Sequence, residues 1–290
     1  MFCLVFVQKS RISFFLFLSL FCFYSEAKTP QRRNNENYYS NIEQTVLAAD
    51  QTDLANLMRE LRLLNPYPEK SLYWSVWNEQ AQFNVPILIQ GSLALNKVCQ
   101  KTNKTSLLFS ARGCCHFIKI FEKLFPNYQS HYLPSSRHMY RHATPEYVHY
   151  FKSFYSSKTI IVDEMGSGHS CGQFFKEFFA SDPSYICLVG VNKNVPCILH
   201  GSSRNLEKIN FDLTGSLISY GANGPVRLAP EYKIEEIQPA HDCIDKCVHL
   251  LEQYSFDRFD KKLLKKLFAE LQNYQPTLGQ YFINNHKPDK

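Results

Sequence analysis

The chain contains no internal repeat, no low-complexity block and no CxxC pair. Without repeats, its 44% hydrophobic and 14% aromatic content reads as one compact domain with room for a two-sided core. Without CxxC, the paired spacing of most zinc modules is missing. Charge of one sign is also scarce: +6 over 290 residues is not the dense basic stripe of a nucleic-acid binder, and no nucleic acid is expected as a partner. The apolar run ISFFLFLSLFCFY, preceded by Lys9 and Arg11, is shorter than the roughly 20 residues that span a bilayer comfortably. With small residues Ser25 and Ala27 behind it, the run has the order of a signal peptide over residues 1–27. The expectation is cleavage near Ala27, export to a secreted or periplasmic location, and no stable membrane span afterwards.

Cysteine is present. Removing Cys3 and Cys22 with the leader leaves Cys99, Cys114, Cys115, Cys171, Cys187, Cys197, Cys243 and Cys247. An even number permits disulfides in an exported chain, but several lie in apolar patterns where a thiol acts as a small hydrophobe. Cys243 and Cys247 sit four apart on a helical face, with His241 and His249 nearby, so a metal set can be drawn there; the core reading is preferred.

Residues 28–39 are polar and read as a linker, and 40–290 as a single domain. Ser40 and Glu43 form a capping-box pattern that opens a helix running toward Leu64 and stopped by Pro66. NVPILIQ reads as a short strand or buried segment. From there strands and helices alternate: SLLFS, then CHFIKIFEKLFP; SHYLP, then a helix from the Thr144 cap and Pro145 to Phe154; TIIV, then GQFFKEFFA; finally YICLVGV. This order predicts an α/β fold, a three-layer parallel sheet with helices on both faces and a core over about residues 85–210. Helical extensions are expected at both ends, the C-terminal one over 240–290, and an irregular hairpin in NFDLTGSLISYGANGPVRLAPEY. In such sheets ligands lie at the carboxyl ends of strands, so the loops after Ser110, Leu133 and Val162 should converge. Glu231 and Tyr232 could cover that crevice or simply pack.

The densest chemistry lies in TIIVDEMGSGHSCGQFFKEFF, Thr159 to Phe179. A strand, two acids and the turn Gly166, Ser167, Gly168 lead into a helix near Ser170. Backbone amides there face outward at the positive end of a helix, which suits phosphate. Asp163 and Glu164 stand where a ribose diol or a metal could be held.

This order resembles the ribose-phosphate signature of type I phosphoribosyltransferases, over about Leu107 to Val191. The resemblance implies that fold, with Asp163 and Glu164 as catalytic, ribose-binding acids and tentative Mg²⁺ ligands, and with Gly166, Ser167, Gly168, His169 and Ser170 around the 5-phosphate. It gives Ala111, Arg112, Gly113 and Cys114 the pyrophosphate, and Arg137, His138 and Arg141 the flexible basic loop. The function implied is binding of a phosphorylated ribose or nucleotide-type ligand, with phosphoribosyl transfer as the activity.

Other readings stay open. GHSCG fits a hydrolase nucleophile elbow with Ser170 attacking an ester and Asp212 and His241 completing a triad, although no HGGG-like segment is visible. EMGSGHS also resembles the glycine loop of S-adenosylmethionine-dependent methyltransferases. Met165, two residues after Asp163, excludes the paired acids of aspartate-nucleophile phosphatases. The glycines could also be no more than a tight turn, in a non-catalytic exported protein that binds a protein partner.

Overall fold

The computed structural model describes residues 35–201 and 204–280; the expected leader and residues 28–34 of the expected linker lie outside the described residues. Helix α1 (Asn35–Leu47) begins inside the segment read as linker and carries Ser40 in its interior, so Ser40 is no cap. Glu43 instead pairs with Arg59 and Arg62 of α2 (Thr52–Leu63). Asp50, at φ +56°, separates the two helices where one had been expected.

Helix α3 (Leu72–Glu79) runs through a π-helical turn, Gln80–Asn84, into α4 (Val85–Thr102). NVPILIQ, read as a short strand or buried segment, is buried as expected but helical, closing the π-helical turn and starting α4. A continuous apolar run has no periodicity to separate a buried strand from a buried helix. Pro86, which has no amide to donate, follows just after the π-helical turn, where Val85 N–H bonds back to the Gln80 carbonyl.

Five strands then form one all-parallel sheet: β1 (Ser106–Ser110), β2 (Gln129–Leu133), β3 (Thr159–Gly166), β4 (Tyr185–Gly190) and β5 (Cys197–His200). Their order is β2-β1-β3-β4-β5. Between them run α5 (Cys115–Leu124), the short α6 (Arg137–Arg141), α7 (Pro145–Phe154) and α8 (His169–Phe179). Thr144 caps α7 by accepting from Tyr147 N–H at 3.2 Å, ahead of Pro145 at the first position, as expected.

Alternation along the strands builds two cores. Leu107, Phe109, Ile160 and Val162 pack on one face with α4, α5 and the C-terminal helices; Leu108 and Ile161 pack on the other with α7 and α8. Burial of both faces explains why these strands read as unbroken apolar runs. Beyond β5 come α9 (Arg204–Glu207), the hairpin β6 (Leu217–Gly221) and β7 (Gly224–Arg227), and α10 (Ile234–Leu250). Helix α10 starts well before the expected Ala240 and contains Pro239; the Glu236 carboxylate accepts from Lys233 N–H at 3.3 Å to start it. No helix among the described residues is long and apolar enough to cross a membrane. The eight described cysteines are free thiols, and Cys243 and Cys247 are fully buried in the core.

The last helix, α11 (Lys261–Asn273), buries Leu263, Leu264, Leu267, Phe268 and Leu271 and turns its lysines outward. Its cap is Asp260, which accepts from Lys262 and Leu263 N–H at 2.8 and 3.0 Å. Asp260→Ala should lower the unfolding free energy by about 1 kcal/mol in a urea titration, with no change at the cleft described next.

Candidate functional site

Because β2 lies on one side of β1 and β3 on the other, the connections diverge at the carboxyl ends of β1 and β3, and a crevice opens there. It is a cleft of about 780 Å³, within the usual range for small-ligand sites. The three expected loops do converge on it. The loop after β1 brings Ala111, Arg112 and Gly113; the one after β2 brings Arg137 and His138; β3 runs past the expected end at Val162 and brings its last residue, Gly166, and the turn that follows brings Ser167, Gly168, His169 and Ser170. Cys114 turns inward, its thiol 3.6 Å from the Val162 carbonyl, and Arg141 lies outside the lining.

The third loop is built by α8. Gly168 takes φ +66°, a conformation that strains any residue with a Cβ, and so turns the chain from β3 into the helix. Cys171, Phe174 and Phe175 anchor α8 in the core. Its first turn, with His169 exposed and Ser170 half-buried, therefore presents its amides at the cleft.

Asp163 and Glu164 are both in β3, so alternation sends them to opposite faces of the sheet. Asp163 is partly exposed and accepts from the Tyr185 hydroxyl at 2.8 Å. Burial lifts its pKa to about 6, with Tyr185 and, more weakly, Arg137 pulling the other way, so it is largely ionised at neutral pH. Glu164 is 1% exposed. Burial first, then the nearby charges of Glu207 and Asp163, push its pKa well above the carboxylate range, against a hydrogen bond from Asn210. It lies in the cleft floor, where burial favours its protonated form.

Asn210 continues inward. It and Asn84 share amide hydrogen bonds of 2.7 and 3.1 Å, and Asn84 donates to Gln80 at 2.6 Å. The π-helical turn thus holds the floor through a line of buried amides, each satisfied by the next. Gly113 completes the floor because it has no side chain: a Cβ there would stand 2.3 Å from Glu164 Oε2 and 3.0 Å from its Cβ.

Arg112 is tied across the cleft to Glu231 at 2.9 Å, so an anion at Arg112 must compete with that carboxylate. Tyr132 donates to Asp212 and lies 3.2 Å from the Arg112 carbonyl. His241 bonds the Phe211 carbonyl at 2.7 Å. Among the described residues no hydrogen bond joins Asp212 to His241 or His241 to Ser170, so the triad drawn from the sequence is not assembled.

Sequence reasoning missed Tyr185 and Asn210. Tyr185 opens β4 opposite Ile161, two positions before Asp163, and its length lets it reach that carboxylate. Asn210 follows a short helix and carried no local signal. Compared with known proteins, the chain matches no family model and no curated sequence.

Proposed function

We propose that the cleft binds a phosphorylated ribose compound and serves phosphoribosyl transfer. The observation that carries this reading is the joint exposure of the α8 N-terminus and the ionised Asp163 to one cleft. A phosphate monoester accepts from the amides of the 167–170 turn and lies at the positive end of the helix. Asp163, held by Tyr185, accepts from the ribose hydroxyls beside it. Arg112 and Arg137 supply the cations for a diphosphate leaving group. As the bond from C1 to that group breaks, positive charge grows on the ring, and the Asp163 carboxylate on the same sugar stabilises it. The acceptor then bonds C1 and gives up its proton.

The residues fit Mg²⁺ at one acid, not two. Asp163 has one carboxylate oxygen not engaged by Tyr185, whereas Glu164 is buried, which favours its protonated form, and accepts from Asn210. One carboxylate with ligand phosphates and waters is an ordinary Mg²⁺ set, and the ion would neutralise diphosphate charge.

Calorimetric titration with phosphoribosyl diphosphate and with ribose 5-phosphate, with and without Mg²⁺, tests this. Asp163→Asn should weaken binding at least about tenfold, or 1.4 kcal/mol, while Ser170→Ala keeps most of it. No binding of either ligand, with turnover of a nitrophenyl ester that disappears in Ser170→Ala, would overturn the proposal in favour of an esterase.

A further inference from the structure

We propose that Cys115, His116 and His241 form a zinc site behind the wall of the cleft, a role separate from ligand binding. Cys115 and His116 open α5 and His241 lies in the middle of α10. One donor atom from each comes within 4.8 Å of the other two. Tetrahedral zinc needs its ligand atoms roughly 3.3 to 3.6 Å apart, so side-chain closure of about 1 Å makes the set.

His116 calls for a partner. It is fully buried, and among the described residues neither of its ring nitrogens has a hydrogen bond. Buried polar atoms in native structures are almost always satisfied, by protein, water or an ion. The neighbour across from it is the His241 ring, 4.5 Å away between centroids. His241 is already arranged as a ligand: its Nε2 lies 2.7 Å from the Phe211 carbonyl, which fixes the proton on Nε2 and leaves the Nδ1 lone pair free. The Cys115 thiol points at the same carbonyl, 3.5 Å away.

The protonation states agree. Burial holds His116 and His241 below their usual pKa, so both offer lone pairs at neutral pH. Burial also raises Cys115, which is a neutral thiol until a cation arrives. Binding then replaces the S–H bond by an S–metal bond and releases one proton to solvent for each ion. One thiolate and two imidazoles, with no carboxylate in the set, select zinc over Mg²⁺ or Ca²⁺ and leave one tetrahedral position open. Gly113 and Phe211 both line the cleft, so the ion would pin the β1–α5 turn and the 211 segment to α10.

Cobalt(II) titration of the reduced, chelator-treated full chain tests the site. One equivalent should produce a thiolate-to-cobalt charge-transfer band that zinc abolishes, and zinc should raise the melting temperature. X-ray absorption should read one sulfur and two nitrogens. Cys115→Ser should remove the band, and His241→Gln should weaken binding by more than the roughly 10- to 100-fold that loss of an outer partner costs. The control is His249→Gln, on the same helix but exposed, which should change nothing. If Cys115→Ser does not fold, His241→Gln and the sulfur count in the wild-type spectrum decide. A folded wild-type chain that takes up neither cobalt nor zinc overturns the proposal. So does a band that survives Cys115→Ser or is lost in Cys247→Ser.

Discussion

Gly113→Ala should unfold at lower urea concentration than the wild type, by about 1 to 3 kcal/mol, and should bind ribose phosphates at least about tenfold more weakly. The added methyl meets Glu164 Oε2 at 2.3 Å. A collision with the tip of a flexible side chain is cheap when that side chain can swing away, but Glu164 is buried and its Oε1 accepts from Asn210. Swinging away breaks that bond and leaves a buried carboxyl without its partner, while Asn210 keeps Asn84 and the Leu206 carbonyl. The alternative is to move the loop after β1, which carries Ala111 and Arg112 out of line with the 167–170 turn. Either route damages the floor, and only the second damages the ligand site directly. A double-mutant cycle with Glu164→Ala separates them: if the carboxylate is the obstacle, the coupling exceeds about 1 kcal/mol. A Gly113→Ala chain as stable as wild type would mean that the loop and Glu164 are not held together as described.

Where the sequence was legible, the reason is local. SLLFS and TIIV could be read as strands because a parallel sheet covered on both faces demands unbroken apolar residues, and Thr144–Pro145 because a cap and a fixed φ act within one turn. Convergence of the three loops follows from parallel topology alone. At NVPILIQ burial was legible but strand and helix were not separable, because a buried helix makes the same demand as a buried strand. The polar run NEQAQFN carried the opposite trap: Asn78 to Asn84 are almost wholly buried, and their amides are satisfied partly by residues such as Ile209 and Asn210, far along the chain. The Arg112–Glu231 pair and the meeting of His116 with His241 are likewise non-local. One feature was within reach. Asp163 and Glu164 are adjacent in a strand, and a period of two places them on opposite faces, so equivalent roles for the two acids were never compatible with β3.

That split has a consequence for pH. Stability should fall as pH rises from 7 to 8, and Glu164→Gln should lessen the fall. A carboxyl with a folded pKa above its unfolded value binds more protons in the native state, so its stabilisation is complete below the unfolded pKa and is lost as pH climbs toward the folded one. Four carboxyls among the described residues are of this kind: Asp163, Glu79, Glu164 and Glu122. Asp163 moves from 3.8 to about 6 and Glu79 from 4.5 to about 7, so both have given up most of their share by pH 7. Glu164 is raised well above 4.5 and Glu122 above it, in both cases chiefly by burial. His116 and His241, held below 6.5, contribute with the opposite sign, but only below that value. Cysteine thiols of the unfolded chain begin to ionise in this window while burial keeps the folded ones protonated, so they add to the fall. Between 7 and 8 the fall is therefore shared: Glu164 contributes at most about 1.4 kcal/mol per pH unit, and the rest belongs to the Glu79 proton still bound at pH 7 and to the thiols. Urea unfolding at three pH values in this range measures it; equal slopes in wild type and Glu164→Gln would assign the linkage elsewhere. The same proton bears on the ligand. While Glu164 is neutral the floor adds no negative charge beneath a phosphate, and only Asp163 faces the sugar. Ionising Glu164 would put a second anion under an anionic ligand, so a bound ribose phosphate should hold the proton on Glu164 to higher pH.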